Sequence, residues 1–403
     1  MKKVVILTFV YEQSGGTRTV IEGLAKYHTQ KGEKVKIVVV VSPTFRDYPF
    51  SPLNKICYLN TEKDFALYQT YFRWQKIIDQ EQPDRVIVVL GHPFCAHLAS
   101  ILPLSIRKKT ILYFLDPWFT LGKLKDELRA PVADFIEKRN KILGRLFDNR
   151  SHVSKIFQLT QPLDKITAVE IYEKEWFRAF KGIMVCTKDV GQLFRQITSS
   201  RTKIVVNPLY YEPQVKNPDY YWEKPSTIEL IFTGRVTSSW KGFGLVLKAL
   251  QKIKDFKLYL YTWDKNEVQI ARELFRVYKL PLDQLITKSE AKTEDFLVKS
   301  AQVTAVLIPS LGEGFSFTML ECLSMGAIVI VGPFYGGPKE VIKHLENGIR
   351  FRPGDADDLA EKIILAHQLE GGKLQEIRKA ALSTVKRYTY QSYLQRYEKG
   401  FKD

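Results

Sequence analysis

Two acids frame the stretch EGFSFTMLE: Glu313 and Glu321, with seven uncharged residues between them. An apolar run, VTAVLIPS, and a glycine-bearing turn precede it. That order reads as a buried strand, a turn, and a helix over residues 317–325 capped by Ser316. A helix start offers free N–H groups and partial positive charge, which suits a phosphate or a sugar hydroxyl. Gly314 lets a ligand approach the backbone closely. Glu313 falls just before the helix and Glu321 one to two turns inside it. A carboxylate accepts two hydrogen bonds from a diol, so the two acids can grip two hydroxyl-bearing groups of one ligand with phosphates between them. Taken alone, the pair is also compatible with a surface turn and an incidental ion pair.

Three companions strengthen the ligand reading. In TGRVTSSWKGFGLVLKAL (residues 233–250) a strand ends at Gly234-Arg235, and Lys241-Gly242 follow six residues later at a helix start. Arg235 and Lys241, placed there, can neutralise a diphosphate. In YEQSGGTRTVIEGL, Gly15 and Gly16 sit between a first strand and a first helix; this is neither a Walker loop nor a full G-x-G-x-x-G. In FYGGPKEVIKHLENGIRFRPGDADDLAEKI a glycine turn leads to Glu340, then Asn347-Gly348, then an acidic helix start at 355–358.

The elements that must position these residues follow a regular rhythm. Apolar, β-branched runs at 4–10, 35–41, 85–90, 110–115, 182–186 and 203–206 read as strands. TRTVIEGLAKYHTQKG between the first two has helical spacing and ends in Gly32, so the unit is β-α-β and the sheet parallel. Runs at 228–233, 257–261, 303–308 and 327–331 repeat the scheme. The segment 210–227 has three prolines and no period, and is the best linker candidate. The expected fold is therefore α/β, with two doubly wound, Rossmann-like domains whose ligands sit at the carboxyl ends of strands and in the cleft the domains face.

Composition is globular, and no apolar run approaches the ~18–20 residues of a membrane span. The start, MKKVVILTFV, lacks a cleavage site and reads as a buried strand. The four cysteines lie far apart without a Cys-x-x-Cys pair, which suits a reducing compartment and small core residues. Net charge is +17, with 33 basic and 20 acidic residues up to Lys203 and 28 against 24 after it. The basic first half attracts something anionic. Within it, residues 119–180 read as a largely helical insertion, and 138–155 carry six basic residues and one acid, Asp148. That face is either a solvated helix surface or an interfacial helix for anionic lipid.

In this order the motifs resemble the retaining GT-B glycosyltransferases of the large group 1 family that includes sucrose synthase and bacterial mannosyl- and glucosyltransferases. The family carries Glu, seven residues, Glu, matched by Glu313 and Glu321, and Gly-Arg then Lys-Gly, matched at 234–235 and 241–242. The resemblance implies GT-B architecture: an acceptor domain over 1–206, a nucleotide-sugar domain over 207–385, and a final helix, 386–403, returning to the first domain. It implies that Arg235 and Lys241 bind the donor diphosphate and that Glu321 holds the nucleotide ribose. Glu313, with the N–H groups of Gly314, Phe315 and Ser316, would hold the transferred sugar. Gly15 and Gly16 would border the cleft. No metal or other cofactor is expected, because basic residues and helix dipoles do the electrostatic work. The family often has His-Asp after an acceptor-domain strand. Here the stretch is ILYFLDPWF, with Leu115 before Asp116, and His92 in VVLGHPF is the candidate to serve nearby.

The function expected is transfer of a sugar from a nucleotide diphosphate sugar (UDP, GDP or dTDP) to a glycan or lipid-linked glycan. The place is the cytoplasm, at the inner face of the membrane where the basic half meets anionic lipid. The competing reading is an inactive GT-B-like partner of another transferase, to which Leu115 in place of His points. Nucleic-acid binding lacks any recognised module.

Overall fold

A computed structural model of the chain describes residues 1–8, 16–41, 56–60, 67–90, 99, 102–115, 134, 137–138, 141–142, 179–198, 202–262, 264–289 and 293–401. The chain divides into two compact units. The first comprises Met1–Thr120, Thr167–Leu209 and Tyr390–Asp403; the second comprises Leu121–Ile166 and Tyr210–Thr389.

The first unit is built on β1 (Lys3–Thr8), α1 (Gly16–Gln30), β2 (Lys34–Val41), β3 (Ile56–Asn60), α2 (Leu67–Glu81), β4 (Arg85–Leu90), α3 (Leu104–Arg107), β5 (Thr110–Phe114), β6 (Gly182–Val185), α4 (Lys188–Ile197) and β7 (Ile204–Val206). Its sheet is parallel, in the order β3-β2-β1-β4-β5-β6-β7. The run Val4, Val5, Ile6, Leu7 is buried without alternation, as a central parallel strand covered on both faces requires. In α1 the buried residues Val20, Ile21, Leu24, Tyr27 and His28 form one helical stripe. The helix ends where Gly32, at φ 75°, donates to Thr29 and Glu33 donates to His28. Only glycine takes that left-handed position without strain.

The second unit is built on β8 (Ile228–Thr233), α5 (Phe243–Leu250), β9 (Phe256–Thr262), α6 (Lys265–Val277), β10 (Leu285–Ser289), α7 (Thr293–Gln302), β11 (Ala305–Ile308), β12 (Gly312–Glu313), α8 (Phe317–Ser324), β13 (Val329–Val331), β14 (Tyr335–Gly336), α9 (Gly337–Val341), β15 (Ile349–Arg350), α10 (Ala356–Gln368) and α11 (Gly371–Val385). Its main sheet is parallel, in the order β10-β9-β8-β11-β13-β15, and β12 and β14 form a separate parallel pair. Asp355 caps α10 by accepting from the amides of Asp357 and Asp358, which accounts for the acidic start of that helix.

The segment expected to link the domains is tied down within this unit. The Tyr211 amide donates to Tyr388 O at 2.8 Å, and Trp222 Nε1 donates to Met325 O at 2.7 Å. Buried Arg378 lies 5.4 Å from the Trp222 ring centroid and donates to Glu223 O and Ala301 O. The expected helical insertion falls mostly outside the described residues, including its basic stretch beyond residue 142. Sequence reading assigns it to the first domain; Asp134 and Lys138 within it lie in the second unit, against Lys248 of α5 and Tyr278 just past α6. Tyr278 Oη donates to Asp134 Oδ2 at 3.3 Å, Lys138 Nζ stands 4.4 Å from the Tyr278 ring centroid, and Lys248 Nζ lies 3.7 Å from Asp134 Oδ2.

The last helix, α12 (Tyr390–Phe401), packs in the first unit. A Cβ on Gly400 would stand 2.7 Å from Val205 of β7, and one on Gly182 of β6 would stand 2.7 Å from Phe401. The two glycines therefore set how closely helix and sheet approach. Buried His28 joins the helix to α1: its Nε2 is 3.0 Å from Tyr397 Oη, and its Nδ1 is 2.5 Å from Glu33.

Candidate functional site

The strand order of the second sheet reverses between β8 and β11: β9 and β10 extend to one side, β13 and β15 to the other. Ligands of open parallel sheets bind beyond the carboxyl ends of strands at such a switch point. Arg235 leaves β8 there, and Glu313 leaves β11.

Between these strands and the site, two turns are strapped together. The 3-10 turn Ser239–Lys241 ends at Gly242, whose φ is 73° and whose Cβ, if it had one, would stand 2.1 Å from Pro309 O. The Leu311 amide donates to Trp240 O at 3.0 Å. This strap brings Lys241 beside Glu313. Lys241 Nζ donates to Glu313 Oε1 at 2.6 Å, and Ser310 Oγ donates to the same oxygen at 2.7 Å. Glu313 is 7% exposed, so an unpaired charge there would be costly.

The opposite edge of the Glu313 loop is held by the glycine turn after β13. Glu313 pairs with Gly336 in the β12–β14 ladder, and the Gly337 amide donates to Gly314 O at 3.2 Å. Gly336 has φ 102°, and a Cβ would stand 1.6 Å from Glu313 O. Gly312 is sandwiched: a Cβ would stand 2.4 Å from the Tyr335 ring and 2.7 Å from Trp240. Glycine is required at these two positions because other chain occupies the space a side chain needs.

Ser316 caps α8 as expected, its Oγ accepting from the Met319 amide at 3.2 Å. Its own φ is 72°, a strained value for a residue with a Cβ. Phe315 turns its ring inward, edge-on to Tyr388 with centroids 5.1 Å apart. The loop thus presents backbone rather than side chain at 314–316. Glu321 lies one turn into α8, partly buried. Among the described residues no hydrogen bond or ion pair reaches its carboxyl. Burial alone pushes its pKa up to about 7. Nearby, burial raises the Tyr211 phenol to about 12.

Arg235 is exposed, and among the described residues no hydrogen bond or ion pair reaches its guanidinium, though the Glu267 carboxylate attracts it through space. Gly16 is the first residue of α1. Gly15, His92 and Asp116 lie outside the described residues, and Leu115 is buried at the end of β5. The structure therefore joins Lys241 to Glu313 directly and sets Arg235, Gly314, Phe315, Ser316 and Glu321 on elements leaving the same sheet. Sequence reading missed two residues. Ser310 anchors Glu313, and Glu267 of α6 accepts from the Thr237 amide at 3.1 Å and the Thr237 hydroxyl at 2.6 Å. Ser310 is close enough in sequence to have been suspected; nothing in KNEVQIAREL marks Glu267 as buried.

Residues 227–368 match the family model described as Glycosyl transferases group 1. The second unit thus contains a segment that matches group 1 glycosyltransferases. The chain is also similar to known proteins. Sucrose synthase of Melioribacter roseus is 27% identical over 142 residues, 33% of this chain and 18% of that protein. The lipopolysaccharide 1,6-galactosyltransferase of Salmonella typhimurium is 42% identical over 60 residues, 15% of this chain and 17% of that protein. The matches span less than a fifth of the length of these relatives. The structure of Anabaena HepE in complex with UDP-glucose superposes with TM-score 0.66 at 14% identity, covering 99% of each chain. The group 1 segment thus belongs to a chain with the fold of GT-B glycosyltransferases, two Rossmann-like domains with parallel sheets.

Proposed function

We propose that this protein is a retaining glycosyltransferase that moves a sugar from a nucleotide diphosphate sugar to a glycan or lipid-linked glycan. The observation that carries the reading is the Lys241–Glu313 pair at the β8/β11 switch point. It puts a cation for a diphosphate beside a carboxylate for sugar hydroxyls, next to the free amides of the α8 start. In this reading Arg235 and Lys241 take the diphosphate, and Glu321 takes the ribose diol. Glu313, held by Lys241 and Ser310 through Oε1, offers Oε2 to the sugar.

Transfer breaks the bond between the anomeric carbon and the diphosphate oxygen. A bond to the acceptor oxygen forms on the same face, and the acceptor proton passes to the departing phosphate. The side chains align and neutralise charge; cationic groups and the helix start supply the electrostatic stabilisation. HepE was solved with UDP-glucose, which makes UDP the first nucleotide to test. The Salmonella relative is a lipopolysaccharide galactosyltransferase, which supports a surface-glycan acceptor. Buried Leu115, standing where the histidine of the family's His-Asp pair is expected, favours the second reading of an inactive partner.

The test is a thermal-shift screen of UDP, GDP, dTDP and ADP on the wild type, Arg235→Ala and Glu321→Ala. A ligand at 100 times its dissociation constant adds ~2.7 kcal/mol of stability. Stabilisation of the wild type by one diphosphate, reduced in both variants, supports the transferase. No stabilisation by any of them moves the inactive-partner reading to the front.

A further inference from the structure

Glu267 is 1% exposed, yet it stands in the first turn of α6, a place where an acid normally meets solvent. Asp264 already caps that helix, its Oδ1 accepting from the Asn266 amide at 2.8 Å. Glu267 is therefore not needed as the cap. Its two oxygens instead turn to the loop leaving β8. Oε2 accepts from the Thr237 amide and Oε1 from the Thr237 hydroxyl, and the Val236 amide adds a third bond.

Val236 and Thr237 are themselves buried, and they directly follow Arg235. On the other side of Arg235, the Gly234 amide donates to Tyr261 O at 3.2 Å, at the end of β9. The backbone around Arg235 is thus pinned from both sides while its side chain is left exposed, with no hydrogen bond or ion pair among the described residues and only a through-space attraction from Glu267. An apolar residue at 267 would pack without the desolvation cost of a carboxylate. What it would not provide is directional acceptors for two successive loop amides.

We propose that Glu267 is a positioning residue for Arg235: it fixes the loop at the carboxyl end of β8 so that the guanidinium meets a donor diphosphate without ordering the backbone first. The gain is in preorganisation, since a loop ordered on binding subtracts from affinity. The inference rests on the donor-site reading of Arg235.

The test is a calorimetric titration of the full chain with inorganic pyrophosphate, a probe of the diphosphate subsite that needs no knowledge of the base. Glu267→Gln places an amide N–H2 against loop N–H groups. Thr237→Val removes one donor with little change of shape and serves if the first variant does not fold. Each is expected to weaken pyrophosphate binding about tenfold in the wild-type background and to have little further effect in Arg235→Ala. Equal weakening in both backgrounds, or lowered Tm with unchanged pyrophosphate binding, overturns the positioning role while leaving the donor site intact. Pyrophosphate bound as tightly by Arg235→Ala as by the wild type, or not bound by the wild type, overturns the donor-site reading and this inference with it.

Discussion

Lys241 Nζ and Ser310 Oγ converge on one oxygen of Glu313, Oε1, at 2.6 and 2.7 Å. If Lys241 takes the donor diphosphate as proposed, the diphosphate would share that cation with Glu313, and the lysine would link the two electrostatically. Lys241→Ala should leave Glu313 buried with one hydroxyl partner. Because the Lys241 side chain is 37% exposed, the loss of stability should be modest, about 1–2 kcal/mol. Nucleoside diphosphate affinity should fall about tenfold or more. Urea denaturation and a UDP titration check both parts; unchanged diphosphate binding would remove Lys241 from the site.

Gly336→Ala tests the clamp on the Glu313 loop. The φ of 102° and the 1.6 Å approach to Glu313 O leave no room for a methyl group. The substitution should cost about 2 kcal/mol or more and depress transfer. Gly372→Ala, in α11 with nothing within 4 Å of its Cβ, is the control and should be neutral or slightly stabilising. Equal effects of the two changes on denaturation would refute the clamp.

Glu321 makes stability depend on pH in a defined direction. Its carboxyl titrates near 7 in the folded chain against an ordinary 4.5, so the folded state holds the proton more tightly. Stability from this group is fully present below about pH 4.5 and is lost as pH rises through about 7. Glu321→Gln should flatten that slope and stabilise the protein at pH 8 by up to about 2–3 kcal/mol. The same variant should bind UDP more weakly at pH 8, where the wild type offers an ionised acceptor to the ribose diol. Parallel stability curves for the two proteins between pH 5 and 8 would rule out the shift.

The charge imbalance of the first half predicts association with anionic membranes. No described helix is long and apolar enough to cross a bilayer. Sedimentation with phosphatidylglycerol-containing vesicles at low salt should carry the protein down, and added salt should release it. Failure to sediment even at low ionic strength would disprove the association.

The β-α rhythm was legible because buried parallel strands are continuous β-branched runs: 85–90 and 228–233 were bounded to the residue. What escaped lacked that signal. β10 is LITKS, an edge strand with an exposed polar end, and β12, β14 and β15 have two residues each, too short for any period. In the site, Glu313 and Lys241 were legible as a motif, but their contact was not, since it depends on how Gly242 turns against Pro309. Glu267 was invisible for a different reason. An acid in a helix's first turn is usually solvated, and only the tertiary path of the Thr237 loop makes this one internal. Phe315 was expected near the ligand, and its ring instead fills space against Tyr388, leaving its backbone in that role.

The contact of α12 with β6 and β7 has a consequence for how the first unit assembles. Gly400 meets Val205 and Phe401 meets Gly182, so strands at 182–185 and 204–206 are covered by a helix that begins only at residue 390. Closing so long a loop costs entropy before the contact gives anything back. The docking of α12 is therefore expected to be a slow, late event in the folding of the first unit.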